Sequence, residues 1–227
     1  MSKQAIVIGA SRGIGLGLVK ELAKRGYRVT ATERDRSDAL HILADGSDGA
    51  VSIAQCDVTD EASCSALARA HEAGSVDLLI VNAGIYGPKD QSLAALDRES
   101  VADIVHTNAV GPVQAALTLL PAMKDGGTVC LMTSKMGSID DSSGGANHYR
   151  ASKVVQNMLA RSLFEQHAKP RGIGVVSQHP GWVQTDMGGP NAPVDVATST
   201  AGIIDALEGE AKPRHAFLNY DGTPIAW

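Results

Sequence analysis

Two side chains that could transfer a proton lie one helical turn apart in the segment HYRASK. Tyr149 and Lys153 are separated by four positions, and residues at this spacing share one face of a helix. A phenol ordinarily loses its proton near pH ~10. A nearby ammonium group lowers the tyrosine pKa towards the range in which general acid/base catalysis is efficient. Because such a pair also arises by chance, it needs support from other residues.

A serine hydroxyl is the next candidate for chemistry. Ser134 follows a predicted strand in the segment CLMTSKMGS, and a hydroxyl there can both donate a hydrogen bond to a substrate oxygen and accept one. A lone serine is more often structural, so its role depends on neighbouring groups. Ser142 and Ser143 could compete with Ser134, but DDSSGG is typical of a flexible loop lining a cleft.

A glycine-rich turn predicts a nucleotide site. The first predicted strand ends in IGASRGIGLG, which places Gly9, Gly13 and Gly15 at the turn into a helix. Glycines there permit close approach of the backbone to a pyrophosphate, which binds against free N–H groups of the helix N-terminus. The spacing is G-x-x-x-G-x-G, and a left-handed turn in any βα unit is the alternative. The other candidate cofactor-binding residues of this loop are Ser11, Arg12 and Ile14.

The end of the second strand should decide the choice of cofactor. An acidic residue there can bind both ribose hydroxyls of NAD, whereas an arginine favours the 2′-phosphate of NADP. The segment TATERD places Glu33 and Arg34 side by side. Arg12 could reach the same phosphate, because a guanidinium binds phosphate bidentately. We predict that NADP(H) is favoured, with Glu33 turned outward, and keep NAD(H) as the alternative.

Small and polar residues follow the remaining strands. Asp57 could accept a hydrogen bond from an adenine amino group, although it could equally be a turn residue. Thr185 could bond a carboxamide. Because the carboxyl ends of strands form the ligand-binding edge of an open α/β sheet, we expect these segments to meet there. Further candidate cofactor-binding residues at these strand ends are Val58, Asn82, Ala83, Gly84, Pro180, Gly181 and Val183.

The hydrophobic pattern predicts an α/β fold. Short β-branched runs alternate with segments of helical period, which is typical of a single-domain Rossmann-type, doubly wound parallel sheet with helices on both faces. Helices are expected between the first two strands, from Thr59 as the capping residue towards Gly74, over residues 97–123, and over residues 147–168. About seven strands are predicted, at residues 5–8, 28–32, 50–55, 77–81, 128–132, 174–178 and 216–218.

Composition limits the function further. The chain has 227 residues, a formal net charge of −5 and three cysteines. Without a basic cluster, neither nucleic acid nor an anionic membrane is an expected partner. The cysteines lack metal-ligand spacing and are expected to be reduced thiols of a cytoplasmic protein. We therefore predict one domain over residues 1–227, with no metal site and no export signal.

Taken in order, these motifs carry a family resemblance. GASRGIG, NAG, TNAVGP, Ser134, YRASK and PGWVQTD resemble the short-chain dehydrogenase/reductase family over nearly the whole chain. The segments HPGWVQTDMGGPNAP and FLNYDGTPIAW are similar to the carbonyl-reductase branch that includes the C-factor (C-signal) and sniffer proteins. The chain departs from the family pattern at Ile8, where threonine is common, and at Glu33, where NADP-dependent members tend to be neutral.

The resemblance implies a catalytic tetrad. Tyr149 would give its proton to a carbonyl oxygen as a hydride from the nicotinamide reaches the carbonyl carbon, and Ser134 would hold that oxygen. Lys153 would bind the nicotinamide ribose and lower the Tyr149 pKa. Asn108 would hold a water near Lys153 through a local break in its helix, which Gly111 makes plausible together with the following proline. An ordinary polar helix residue is the alternative for Asn108.

The implied activity is therefore NAD(P)(H)-dependent interconversion of a small-molecule carbonyl and alcohol. The alternative is a nucleotide-binding signalling protein of the C-factor type with little turnover. Only residues 188–193 precede Val194, so we expect a short lid and an open cleft, walled or underlain by Trp182. His148 is expected to be a surface or capping group. The resemblance also implies a homodimer or homotetramer through the helices bearing Asn108 and Tyr149. The candidate apolar contacts are Val113, Ala116, Leu117 and Leu120, for which core packing is the alternative explanation.

Overall fold

Seven parallel strands form one twisted sheet in the order β3-β2-β1-β4-β5-β6-β7. A computed structural model describes residues 2–209 and 215–227. The strands are β1 (Gln4–Ile8), β2 (Arg28–Glu33), β3 (Val51–Gln55), β4 (Val76–Val81), β5 (Met123–Met132), β6 (Gly174–His179) and β7 (His215–Asn219). The helices are α1 (Gly13–Lys24), α2 (Asp38–Asp45), α3 (Glu61–Arg69), α4 (Arg98–Val105), α5 (Gly111–Leu119), α6 (Asn147–Leu163) and α7 (Val196–Glu208).

The predicted α/β fold is confirmed, and the seven predicted strands match these bounds closely. The main difference is β5, which begins at Met123 because that residue pairs with Val76 across a register shift. The expected cap of α3 was wrong. Asp60 accepts the hydrogen bond from the Ala62 amide, whereas Thr59 donates to Asp57 in the preceding turn.

The strands are buried on both faces, which explains their continuous apolar runs. Successive side chains point to opposite sides of the sheet. On β1, Ile6 and Ile8 pack in the core under α3, α5 and α6, while Ala5 and Val7 pack in the core under α1 and α7. The sheet is therefore a rigid platform whose carboxyl ends hold the polar segments.

The helix predicted over residues 97–123 is interrupted where Asn108 lies. After α4 the backbone makes a π-helical turn over His106–Val110 and resumes as α5 at Gly111. Pro112 lacks an amide proton, so it cannot continue the normal helical ladder. A Cβ at Gly111 would lie 2.6 Å from the Val58 carbonyl oxygen, so glycine permits this close packing. The predicted local break is confirmed.

Three further features concern the described residues. The three cysteines are buried free thiols, and the Sγ atoms of Cys56 and Cys64 lie 3.9 Å apart. Among residues 2–209 and 215–227, no helix is long and apolar enough to span a bilayer. Within the same residues, no group of three or more potential metal ligands is present.

Candidate active site

The glycine loop packs directly against the end of β4. Gly9 has φ of 82°, and a Cβ there would lie 2.8 Å from the Ala83 amide nitrogen. Asn82 donates from Nδ2 to the Gly9 carbonyl at 2.9 Å, so it supports the loop from below. At Gly15 a Cβ would lie 2.0 Å from the same carbonyl oxygen. Glycine is therefore required at both positions, and the NAG segment acts as a support for the loop.

The first turn of α1 is open to an anion. Its N-cap residue, Arg12, makes no side-chain capping hydrogen bond, and the first turn contains no acidic residue. A helix N-terminus with free N–H groups binds phosphate through those groups and the helix dipole. The loop and helix present here therefore fit a dinucleotide pyrophosphate.

The charged residues near β2 differ from one expectation. Glu33 is not turned outward: its side chain is 12% exposed and accepts hydrogen bonds from the Ser37 amide at 2.7 Å and from His41 Nε2 at 2.8 Å. Burial raises its pKa, but the bonds from His41 and Ser37 outweigh that and hold the pKa of Glu33 below its usual value. The carboxylate thus anchors the start of α2.

The two arginines near this edge remain exposed. Arg12 forms an ion pair with Asp186 at 2.6 Å, and Arg34 pairs with its neighbour Asp35 at 3.1 Å. Exposed pairs of this kind contribute only ~0–1 kcal/mol, so an anionic ligand can displace the carboxylates. Both guanidinium groups are available to a phosphate.

Asp57 and Val58 have structural roles after β3. Asp57 Oδ1 accepts hydrogen bonds from the amide and the hydroxyl of Thr59, at 2.9 and 2.7 Å, which is the turn expected as the alternative. Burial raises the Asp57 pKa, but these bonds outweigh it and keep the pKa low. The Val58 side chain is 7% exposed and belongs to the core, so it does not form an open apolar wall.

Tyr149 and Lys153 lie in the first two turns of α6, on the side facing the ends of β4 and β5. The Lys153 ammonium lies 5.7 Å from the centre of the Tyr149 ring. Lys153 is buried and donates to the Met132 carbonyl at 2.9 Å and to Gln156 Oε1 at 3.0 Å. Ser134 follows β5 and faces the same cleft as Tyr149. The structure therefore brings the three predicted groups together.

The pKa of Tyr149 is shifted in the opposite direction from the one predicted. Burial raises the pKa of Tyr149 to about 12, opposed by the Ser134 hydroxyl and reinforced by Tyr86. The predicted lowering of this pKa is wrong, because burial of the phenol is the largest effect on it. Burial also lowers the pKa of Lys153 to about 7. Tyr149 is therefore a phenol at neutral pH.

Asn108 joins three elements through the π-helical turn. Its Oδ1 accepts from the Ile85 amide at 2.7 Å, and its Nδ2 donates to the Ile85 carbonyl at 2.8 Å and to Ser152 Oγ at 3.0 Å. A Cβ at Gly84 would lie 3.1 Å from Asn108 Oδ1 and 3.8 Å from Lys153 Nζ. Gly84 thus allows the loop after β4 to pass close to both side chains.

Ser134 and Tyr149 open onto a cleft of about 740 Å³. The loop over residues 180–195 borders it and is held by its own contacts, including Trp182 Nε1 to the Gly188 carbonyl at 2.7 Å. Trp182 is 58% exposed and lines the cleft. Burial lowers the pKa of His179, a further lining residue, to about 4, so its ring is uncharged at neutral pH. The expected short lid, residues 188–193, forms part of this loop, and the cleft is open.

The loop over residues 180–195 carries the remaining predicted residues. The Pro180 carbonyl accepts from Ser199 Oγ at 2.6 Å, and the Val183 side chain is buried. Thr185 lies against the glycine loop, since a Cβ at Gly13 would be 3.2 Å from its methyl group. Gly181 has φ of 86° at the turn into the lid. This segment therefore closes one side of the predicted nucleotide site.

Sequence reasoning missed several residues around Tyr149. His148 was expected at the surface or as a cap, but it is fully buried, with Nε2 3.1 Å from Ser100 Oγ. Tyr86 places its ring centre 5.1 Å from that of Tyr149. Gln91 Oε1 accepts from the Tyr149 amide at 3.0 Å. No local pattern indicates these contacts, because they join residues distant along the chain.

Replacing Lys153 with methionine should stabilise the fold. The folded-state pKa of about 7 lies below the usual value of 10.5, so the unfolded chain binds the proton more tightly. The protonated lysine therefore lowers the free energy of unfolding. This destabilisation is complete below pH ~7 and disappears as pH rises towards ~10.5. We expect Lys153→Met to raise the free energy of unfolding by about 2 kcal/mol at pH 6 and by less at pH 9. Urea unfolding at both pH values measures this, and a destabilised variant at pH 6 contradicts it.

Comparison with known proteins identifies the family of this chain. The model of the short chain dehydrogenase family matches residues 3–194. The chain is 40% identical to the C-signal protein of Myxococcus xanthus over 162 residues, covering 68% of this chain and 94% of that protein.

Solved structures agree in fold over the full length. A short-chain dehydrogenase/reductase from Burkholderia multivorans with bound NADP has a TM-score of 0.93 and 31% identity, with 100% of each chain covered. The carbonyl reductase Sniffer of Drosophila melanogaster has a TM-score of 0.89 and 34% identity, again covering 100% of each chain. With the glycine loop and the Tyr149–Lys153 pair at the same sheet edge, this chain belongs to the short-chain dehydrogenase/reductase family of NAD(P)-dependent oxidoreductases.

Proposed function

We propose that this protein is an NADPH-preferring carbonyl reductase in which Tyr149 is the general acid. The observation that carries the proposal is the cleft itself. Tyr149 and Ser134 both line it, and the pKa of Tyr149 is raised to about 12. A phenol that stays protonated at neutral pH is ready to donate a proton to a carbonyl oxygen. When bound, the reduced nicotinamide supplies the hydride for the carbonyl carbon.

The other members of the tetrad act on charge and position. Ser134 holds the carbonyl oxygen and stabilises the negative charge that develops on it. Lys153 orients the nicotinamide ribose beside Tyr149, since its side-chain nitrogen lies 5.7 Å from the centre of the Tyr149 ring. Asn108 holds the loop after β4 beside Lys153 and, as proposed from the family pattern, orders a water there for return of the proton.

The cofactor fits the sheet edge described above. The uncapped start of α1 would hold the pyrophosphate, and the lid would contact the nicotinamide end. We propose that residues 1–227 form one domain that carries both this site and the tetrad. The residues assigned to the cofactor are Gly9, Ser11, Arg12, Gly13, Ile14, Gly15, Arg34, Asp57, Asn82, Ala83, Gly84, Tyr149, Lys153, Pro180, Gly181, Val183 and Thr185.

Preference for NADPH is supported by the charges at the end of β2. Glu33 is held by Ser37 and His41 and is 12% exposed, so it is poorly placed to bind a ribose. Arg12 and Arg34 are 79% and 70% exposed and can bind a 2′-phosphate. The related Burkholderia structure contains NADP.

The substrate is proposed to be a bulky or aromatic carbonyl compound. The cleft is open, its lid is short, and Tyr86, Trp182 and Met187 form exposed apolar walls. Such walls bind planar apolar groups without requiring a charged partner. We also propose a cytoplasmic location, where NADPH and reduced thiols are both maintained.

The first test of this function is cofactor oxidation at 340 nm. Wild type should consume NADPH with at least one member of a panel of quinones, isatins, aldehydes and ketones. Tyr149→Phe should lower kcat by at least 10²-fold, because it removes the proton donor, while NADPH binding measured by fluorescence is retained. If wild type binds a cofactor and turns over no carbonyl, a nucleotide-binding signalling role becomes the better explanation.

Cofactor preference has a separate test. Arg12→Ala should raise the KM for NADPH about tenfold, since a charge-assisted bond to phosphate contributes ~1.5–3 kcal/mol, and should leave the KM for NADH unchanged. Glu33→Gln is the matched control, because Glu33 faces α2, and it should change both values less than threefold. A larger effect of Arg12→Ala on NADH would contradict the assignment.

We propose a homodimer or homotetramer through the helices that carry Asn108 and Tyr149. Two of the four apolar residues suggested for this contact, Ala116 and Leu120, lie in the core instead. Leu117 on α5 and Met158 on α6 remain 40% and 66% exposed. Light scattering should show a dimer or tetramer at micromolar concentration and a smaller species for Leu117→Glu. A wild-type monomer would remove the proposal.

A further inference from the structure

The catalytic helix α6 begins without a cap of its own. The residue before it, Ala146, has left-handed backbone angles of φ 46° and ψ 47° and provides no side-chain hydrogen bond. A helix start leaves its first amide groups without intrahelical acceptors, and these need partners when they are buried. Tyr149 lies within this first turn. The groups that accept hydrogen bonds from these amides therefore also fix the backbone position from which the Tyr149 side chain extends.

Gln91, from the loop after β4, supplies those acceptors. Its backbone carbonyl accepts from the Asn147 amide at 3.1 Å and from Asn147 Nδ2 at 2.7 Å. Its side-chain Oε1 accepts from the Tyr149 amide at 3.0 Å. Gln91 is 7% exposed, so these bonds are shielded from water. One residue thus caps α6 from 58 positions away in the chain.

The nitrogen of the same side-chain amide holds the loop that carries Tyr86, which lines the cleft. Gln91 Nε2 donates to the Tyr86 carbonyl at 2.9 Å and to the Pro88 carbonyl at 3.2 Å. The ring of Tyr86 lies 5.1 Å from the ring of Tyr149, and both rings line the cleft. A single buried amide therefore connects the proposed proton donor to the aromatic wall beside it.

We propose that Gln91 is a positioning residue that sets the geometry of Tyr149 relative to Tyr86 and the carbonyl substrate. The proposal rests on the function proposed above. Oε1 fixes the start of α6 and so affects the proton-transfer step. Nε2 fixes Tyr86 and so affects carbonyl binding. A glutamine is suited to this position, because only an amide offers both an acceptor and two donors at this reach.

Two substitutions separate these effects. Gln91→Met keeps the side-chain length and loses every side-chain hydrogen bond, so kcat should fall about tenfold, in line with the sensitivity of catalysis to small displacements, and the KM for the carbonyl should rise. Gln91→Glu keeps an acceptor for the Tyr149 amide but has no donor for Tyr86, so kcat should stay within threefold while the KM for the carbonyl rises. The Kd for NADPH should stay within twofold in both variants.

Gln178→Met is the matched control for loss of a buried glutamine. Gln178 is also buried and donates to the carbonyls of His179 and Leu218, on β6 and β7. It should lower Tm comparably while changing kcat less than threefold. Equal losses of kcat in Gln91→Met and Gln178→Met, or equal kcat values in Gln91→Met and Gln91→Glu, would overturn the proposal.

Hydrogen exchange provides a readout that does not require turnover. In Gln91→Met, amides in the peptide covering residues 147–152 should exchange at least tenfold faster than in wild type, while later turns of α6 are unchanged. Unchanged exchange in this peptide would overturn the capping role even if the enzyme is active. Faster exchange in a protein that reduces no carbonyl would leave the cap in place and reject only the proposed function.

Discussion

The structure around the site depends on keeping one ammonium group in the interior. Lys153 is 3% exposed, and its described hydrogen-bond partners are two neutral oxygens, those of Met132 and Gln156. An ionised group in such surroundings is costly, which is why its pKa falls to about 7. The lysine is also closely packed. A Cβ at Gly137 would lie 2.9 Å from Lys153 Cβ, so glycine at this position allows the turn after β5 to pack against α6.

The π-helical turn places Asn108 in contact with the segments that surround Lys153. Asn108 lies in the wide turn over residues 106–110. From there its buried side-chain amide donates hydrogen bonds to the Ile85 carbonyl and to Ser152 Oγ. Three segments that approach Lys153 from different directions are thereby joined: the loop after β4, the interrupted helix and α6. Single π-helical turns inside helices are frequent at functional sites. The irregularity and the buried lysine thus form one arrangement.

The sequence predicted the sheet and the segments at its carboxyl edge better than the side-chain contacts between those segments. Strands buried on both faces leave continuous apolar runs, and the order of glycine and polar segments shows which residues meet at one edge. The orientation of Glu33 was not predictable, because it depends on His41 across a turn of α2. The burial of His148 depends on Ser100 of α4, and the cap of α6 comes from Gln91. These are tertiary contacts between residues with no mutual spacing rule.

The upward shift of the Tyr149 pKa was also not predictable from the sequence, because it depends on tertiary packing. Spacing shows that an ammonium group is near, but desolvation depends on everything packed around the phenol. Here desolvation is the larger effect, and the pKa rises to about 12. At neutral pH the phenol therefore keeps its proton, which is the form that the proposed role of Tyr149 as a general acid requires. That role depends on the packing around Tyr149 more than on its spacing from Lys153.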